Sequence, residues 1–343
     1  MGVQVLGYGN WQVIAALLRH PFDAVFFEFH DMAGAFSRFV RAVQPGCQVI
    51  VDSVDLHYLR EAAKAGVTAG DAWQTQTAKR ELAAYRASDT TIVVTPEEQQ
   101  ELRIQGIEHV VVVPIIVPVI ARTNRSRDAM VLFVGGFRHL PNVDAVLWFV
   151  VEVWPLIIAE VPQARFVIVG SEVPSAIQAL HGLKRIDVQG FVQDTAPLLD
   201  AAQVSVAPLT YGAGMKGKVS EALAAGVPVV TTSWGAQGLT EGAGSAYLQA
   251  DDPSGFAKAV IGVLQDGELR SRLGANGVQL ARRLCSMETA TPALRGLVAA
   301  TLSNHHRPGI ALRVWRFCAH VGKRRVNRTL ARLTGRRSVP ANP

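Results

Sequence analysis

The reading turns on Ala207-Pro208-Leu209-Thr210-Tyr211-Gly212-Ala213-Gly214-Met215-Lys216-Gly217-Lys218-Val219-Ser220-Glu221-Ala222-Leu223-Ala224-Ala225-Gly226. A short strand-like run, Val204–Ala207, leads into a loop with three glycines and two lysines. An Ala-rich helix follows and stops at Gly226, ahead of the next strand-like run, Pro228–Thr231. Unpaired amides at a helix start, the helix dipole and two ammonium groups together suit a diphosphate. Glu221, about one turn into that helix, would repel a phosphate it touched. It suits two adjacent sugar hydroxyls, such as those of a ribose, for which a carboxylate is a bidentate acceptor. The plainer alternative is an acid that complements the helix dipole. No Gly-x-x-x-x-Gly-Lys-Ser/Thr occurs, so the loop is not a P-loop.

Outward from this loop, short apolar runs alternate with longer amphipathic ones, the pattern of parallel strands crossed by helices. Strands are expected at Met130–Val134, Arg165–Val169, Arg185–Val188, Val204–Ala207, Pro228–Thr231 and Ser245–Leu248. Helices are expected from about Asn142 to Glu160 and at about Pro253–Gln265 and Glu268–Arg283. Upstream, strands are expected at Val3–Gly7, Ala24–Phe29, Gln48–Val51, Thr91–Val94 and His109–Val113. A long helix is expected over about Leu59–Ala87, and another opens at Pro96-Glu97-Glu98. The polar, basic stretch Arg122–Arg127 reads as a linker. The chain is therefore α/β, with two doubly wound Rossmann-like domains facing each other across a cleft. The divisions are 1–121, a linker at 122–129, a second domain at 130–300 and a basic tail at 301–343.

Two further strand-exit loops belong to the second domain. Gly135-Gly136-Phe137-Arg138-His139-Leu140-Pro141-Asn142 carries two glycines that permit close backbone approach, and Asn142 is placed to cap the next helix. Gly190-Phe191-Val192-Gln193-Asp194 offers Asp194 as a cap. Each alone is equally well a tight turn.

With 343 residues, 49% hydrophobic and 18% charged, the chain has core-forming content for two domains. The 30 glycines and 17 prolines argue against a coiled coil. The net charge of +6 is local: residues 301–343 hold ten Lys/Arg and no acid, which leaves 24 bases against 28 acids in the body. Nucleic-acid binding by the whole chain is therefore not expected. Cys47, Cys285 and Cys318 are odd in number and lack metal-ligand spacing, which fits a reducing compartment. The uncharged stretches Met1–Leu18 and Ala222–Thr240 contain glycine and polar residues and do not read as membrane spans. The N-terminal sequence lacks a basic leader before a continuous apolar run, so the cytoplasm is expected.

Met130 to Leu239 resembles the donor domain of family 4 (group 1) glycosyltransferases with the GT-B fold. Phe-Val-Gly-Gly-Phe-Arg-His-Leu-Pro-Asn, Gly-Phe-Val-Gln-Asp, the Lys-Gly-Lys-Val-Ser-Glu-Ala-Leu-Ala-Ala-Gly loop and Thr-Thr-Ser-Trp-Gly-Ala-Gln-Gly-Leu carry the resemblance. Val51–Glu61 resembles an acceptor-domain loop of the same family, so the likeness covers roughly residues 3–285. It implies transfer of a sugar from a nucleotide-diphosphate sugar with retention, with no metal and no cofactor beyond that donor. Glu221 matches the second glutamate of a Glu-x7-Glu motif and would hold the ribose. The first glutamate falls at Ala213, a departure. The family's Arg and Lys of the first loop fall near Phe137 and Asn142, which leaves Lys216 and Lys218 for the diphosphate. Gly135, Gly136, Phe137, Arg138, Gly214 and Met215 would line the donor site, with the backbone near Val192 at the base. The chain reads as beginning at the family's second strand, so the first domain is expected to be incomplete.

On the facing side Glu28, His30, Asp31, Asp52, Asp55 and His57 fall at strand ends. By the same resemblance Asp52 falls at the family's strand-exit position for a residue facing the reacting sugar, where it would take a proton or stabilise developing positive charge. His57 would orient the acceptor. Helix capping is the alternative for Asp52 and Asp55. The acceptor is expected to be a sugar, a polysaccharide or a lipid-linked molecule. The tail interleaves its bases with Leu312, Val314, Trp315 and Phe317, so it reads either as a solvated tail or as an anchor on an anionic inner membrane face. A non-catalytic nucleotide-sugar-binding subunit or fragment remains open, as does, more distantly, a sugar-nucleotide epimerase.

Overall fold

In the computed structural model, residues 10–67, 69–119, 128–302 and 312–317 are described. The expected strand at Val3–Gly7, the linker core 122–127 and most of the 301–343 tail lie outside them.

The first domain opens with α1 (Asn10–Arg19), β1 (Ala24–Glu28), α2 (His30–Val43), β2 (Gln48–Asp52), α3 (His57–Lys64), α4 (Ala69–Ala72), α5 (Gln76–Arg86), β3 (Thr90–Val93), α6 (Pro96–Ile104) and β4 (Val110–Val112). Its four strands are parallel in the order β1-β2-β3-β4. A monotonic order with right-handed crossovers puts the helices on one face. Phe27, Val49, Val51 and Val93 point into the core that α2, α5 and α6 cover. Period-2 alternation sends Phe26, Ile50 and Ile92 to the opposite face, where Phe26 is 56% exposed.

The single helix expected over Leu59–Ala87 is three helices. The chain turns after Lys64, and α5 restarts where the Thr75 side chain accepts a hydrogen bond from the Ala78 amide.

The second domain runs β5 (Met130–Val134), α7 (Leu140–Trp148), a π-helical turn (Phe149–Val153), α8 (Trp154–Glu160), β6 (Arg165–Val169), α9 (Ser175–Gln178), β7 (Ile186–Gly190), α10 (Ala196–Ala201), β8 (Val204–Ala207), α11 (Gly217–Ala224), β9 (Val229–Thr231), β10 (Leu248–Gln249), α12 (Pro253–Gln265), α13 (Gly267–Cys285) and α14 (Met287–Leu302). Its six parallel strands lie in the order β10-β9-β8-β5-β6-β7. Winding runs outward in both directions from the β5/β8 pair, and helices therefore cover both faces. Val131, Phe133, Phe166 and Ile168 enter one core, while Met130, Leu132, Val167 and Val169 enter the other. Among the described residues one helix, Leu140–Glu160, is long and apolar enough to cross a membrane. Its Ala145, Phe149, Val153, Trp154 and Ile157 are buried in the domain core.

Residues 312–317 are helical and return to the first domain. Phe317 packs edge-on against Phe39, with ring centroids 5.8 Å apart. Arg313 is buried and donates to the carbonyls of Leu18 and Arg19 at 2.9 and 3.0 Å, which satisfies the C-terminal end of α1. This part of the tail is thus a structural tie. Cys47 and Cys285 are free and buried.

Candidate active site

In an open parallel sheet the ligand crevice lies beyond the strand ends where the winding reverses. Here that is between β5 and β8, whose exit loops carry Gly135–His139 and Pro208–Lys216. The two lysines of the second loop are unequal. Lys216 folds back, and its Nζ donates to Ala213 O at 2.8 Å, Gly214 O at 2.5 Å and Gln237 Oε1 at 3.1 Å. An ammonium has three donors, so all three are taken, two by the loop itself and one by Gln237. Burial pushes its pKa down to about 8, although Asp55 and Glu98 pull the other way.

Lys218, on the first turn of α11, donates to Asn142 Oδ1 and stands 4.6 Å from the centroid of the Phe133 ring. Burial, with the Lys216 charge adding to it, pushes its pKa down to about 7. A side chain at Gly135 would meet the Lys218 Nζ and the Asn142 amide at 2.9 Å and displace this pair from its present place. Asn142 does not cap α7; its Nδ2 donates to Gly136 O at 2.7 Å while its oxygen holds Lys218. That cap position is His139, with no side-chain cap bond. Asp194 does hold the start of α10, accepting from the Ala196 amide at 2.9 Å.

Other donor-side expectations divide. The Gly135 amide donates to Val169 O and the Phe137 amide to Ser171 O, so neither points free into the crevice. Phe137 is a core residue, with its ring 6.2 Å from that of Phe133. Arg138 is exposed and forks onto Glu172 at 2.7 and 3.1 Å. Gly136 lies beside Ser171. Met215 is buried and lines the cleft, with Cys285 Sγ 3.7 Å from its sulfur. Val192 is half-buried beside an exposed Phe191. Glu221 is exposed on α11, and partial desolvation raises its carboxyl above the usual range.

Gly214 takes φ 68°, and a Cβ there would lie 3.1 Å from the Asp55 Cβ and 3.2 Å from Glu98 Oε1. The glycine loop therefore abuts the first domain directly. Asp52, at the end of β2, accepts from the Val54 amide at 3.0 Å. Val54 itself is held at φ 61°, a left-handed conformation that costs a β-branched residue strain. Burial raises the Asp52 carboxyl above its ordinary range.

Asp55 does not cap α3, because the amides of His57 and Tyr58 donate to the buried Glu81 at 2.9 and 2.8 Å. It is instead gripped by Arg60 and lies 3.1 Å from His57 Nε2. Burial works against its charge, but His57 and Arg60 outweigh that and hold the carboxyl below the usual range. His57 stands behind Asp55, its ring 5.0 Å from that of His30, and does not line the cleft. Glu28 and Asp31 are exposed at the end of β1 and start of α2. His30 is buried, which lowers its pKa.

Sequence reasoning missed Glu98, whose carboxylate accepts from the Val94 and Leu56 amides at 3.1 and 3.3 Å and so ties two strand-exit loops together. Burial raises its pKa to about 7. The signal was present in Thr95-Pro96-Glu97-Glu98, a capping-box spacing, and the Thr95 hydroxyl does accept from the Glu98 amide at 3.1 Å. His139 was also missed as a cleft residue; burial and the charges of Arg60 and Lys218 push it down to about 4. Between the domains these groups enclose a cavity of about 600 Å³, reached by Asp52 and Asp55 from one side and by His139, Asn142, Lys216 and Lys218 from the other. Among the described residues no group of three His, Cys, Asp or Glu side chains is placed to hold a metal ion.

Residues 128–266 match the family model for glycosyl transferases group 1. The matched segment takes in β5 through α12 of the second domain. An uncharacterized 44.6 kDa protein in the cps region of Klebsiella pneumoniae is 28% identical over 139 residues, 38% of this chain and 36% of that protein. Among solved structures, S. aureus TarM in complex with UDP superimposes with a TM-score of 0.68 at 15% identity, over 83% of this chain and 57% of TarM. Sucrose-phosphate synthase from Thermosynechococcus elongatus gives 0.66 at 19% identity, over 85% of this chain and 77% of the enzyme. At these identities the likeness establishes the fold, GT-B with two Rossmann-like domains. The chain spans about a third of the curated relative and little over half of TarM.

Proposed function

We propose that the protein transfers a sugar, with retention of configuration, from a nucleotide-diphosphate sugar to a sugar, polysaccharide or lipid-linked acceptor. The observation that carries the reading is the Lys218–Asn142 pair, fitted over Gly135 at the winding reversal and facing Asp52 across the cavity. Lys218 answers the diphosphate charge in place of a metal. Its ammonium is already desolvated, so a bound phosphate meets it without displacing a strongly held water shell. Glu221 takes the ribose and the backbone near Val192 takes the base. The UDP carried by TarM supports a uridine nucleotide.

Asp52 stands opposite as the group that meets the acceptor hydroxyl or the developing positive charge. Asp52→Asn should lower turnover at least tenfold with nucleotide affinity within twofold. The check is UDP release from UDP-glucose, UDP-galactose and UDP-N-acetylglucosamine, run beside nucleotide titrations. Unchanged turnover would remove Asp52 from the reaction.

Ala213 favours a second reading, a nucleotide-sugar-binding subunit without transfer activity, because the glycine loop brings no carboxylate to the sugar. Wild-type protein that binds a nucleotide sugar but releases no UDP with any acceptor would support it. The protein works in the cytoplasm, where the basic residues beyond Phe317 draw it to an anionic membrane surface. Removing residues 319–343 should abolish salt-sensitive sedimentation with phosphatidylserine vesicles and leave the melting temperature unchanged, since Arg313 and Phe317 stay in place.

A further inference from the structure

A sugar carried on a diphosphate at Lys218 enters the cavity that Ala213, Met215, Lys216 and Gly217 of the glycine loop border beside that lysine. The second-domain wall beside the glycine loop consists of Leu209, Ala213, Met215, Lys216, Gly217 and Lys218, with His139 and Asn142 beyond them, and it holds no carboxylate. Lys216 also draws the carbonyls of Ala213 and Gly214 to itself. A sugar in this position would present several hydroxyl donors to a second-domain wall whose side-chain acceptors are His139 and Asn142, the latter already accepting from Lys218, and unmet donors are costly.

Asp52 and Asp55 are the two carboxylates that line the cavity, and both come from the first domain. Asp52 accepts from the Val54 amide with one oxygen; Asp55 meets His57 and Arg60 with its two, and a carboxylate has acceptor sites for more donors than these. Asp55 is nearer to the glycine loop, since its Cβ lies 3.1 Å from where a side chain on Gly214 would begin. It is also released from helix capping, because Glu81 takes that role, and is held rigidly by Arg60 and His57.

We propose that Asp55 accepts hydrogen bonds from hydroxyls of the donor sugar across the cleft and so selects the sugar, with Arg60 and His57 as the residues that position it. The proposal rests on the donor-site reading above and adds a residue to it from the opposite domain. It explains how a loop with Ala213 can still discriminate a hexose. It also makes sugar recognition depend on contact between the domains, whereas recognition of the nucleotide does not.

The test is calorimetric titration of the full chain with UDP, UDP-glucose, UDP-galactose and UDP-N-acetylglucosamine, for wild type, Asp55→Asn and Asp55→Glu. Asp55→Glu keeps the charge but moves it by one methylene, and so covers the case in which the amide variant fails to fold in a thermal melt. The expected result is that both variants bind UDP within twofold of wild type and lose at least tenfold for the preferred UDP-sugar. Variants that bind every UDP-sugar as wild type does would overturn the role of Asp55. A wild type that binds none of the four would instead overturn the donor site itself.

Discussion

The two sheets of this molecule are built from the same strand and helix units but wound differently. In the second, winding reverses between β5 and β8, both faces are covered, and the reversal leaves a crevice into which two glycine-bearing loops open. In the first, the order β1-β2-β3-β4 never reverses, helices cover one face, and Phe26 is left on the other. The second domain therefore contains a ligand crevice of its own. The first supplies charged groups, Asp52, Asp55 and Arg60, at one end of its strands, and these act only when the other domain faces them. On the proposed reading, nucleotide binding belongs to one domain, and sugar recognition and chemistry belong to the pair.

This contrast is broken most forcefully at Glu81. It is fully buried and accepts from the His57 and Tyr58 amides and, at 2.7 Å, from the Tyr85 hydroxyl. Glu81→Ala leaves three donors unmet and should destabilise the first domain by roughly 3–5 kcal/mol. Denaturant unfolding should then split into two transitions, the earlier one belonging to the first domain, while UDP still binds. A single transition at the wild-type midpoint would show that the first domain does not depend on this residue.

A pH series sharpens the other side of the contrast. Lys218 has a pKa of about 7 in the folded protein, against 10.5 for an ordinary lysine. Below pH 7 it is already charged, and diphosphate affinity should be at its plateau. Above pH 7 a proton must be taken up on binding, and affinity should fall by up to about tenfold per unit. A terminal phosphate is fully ionised well above its own pKa of roughly 6, so the trend from pH 7.5 to 9.5 reports the lysine. The sign for stability is opposite. Between pH 7 and 10.5 the unfolded lysine binds the proton that the folded one has lost, so this residue's penalty on folding fades as pH rises. Titrations in two buffers of different ionisation enthalpy should reveal the proton uptake. Affinity that is flat over this range would mean that Lys218 does not meet the diphosphate.

The smallest effect is expected where residues 312–317 dock on the first domain. Arg313→Ala removes the donors that satisfy the last carbonyls of α1 and should cost about 1 kcal/mol, read as a drop of a few degrees in the thermal melt. Nucleotide affinity should not move, because this contact lies wholly on the first domain.

The strands of both sheets were legible in the sequence because they are short β-branched runs bounded by turn residues, as in Met130–Val134 and Gln48–Asp52. The break within Leu59–Ala87 was overlooked behind an alanine-rich composition that favours helix, although Gly66 signals it: it takes φ 67° just past α3, where the Val67 amide donates to Ala62 O. In the site, the glycine loop and both lysines were legible as a set. Their inequality was not, since it depends on Lys216 reaching back to Gln237, twenty-one positions later in the chain. Asp55 looked like a helix cap because it stands just before a helix. Glu81, from the next long helix, takes that task, and only the folded chain brings them together.

The central claim is that Lys218 meets the diphosphate at the winding reversal of the second domain. Calorimetric titration of wild type and Lys218→Ala with UDP and with uridine tests it most directly. The account predicts that the variant loses at least tenfold in affinity for UDP and keeps its affinity for uridine. Equal losses for both ligands, or UDP binding untouched by the substitution, would contradict it.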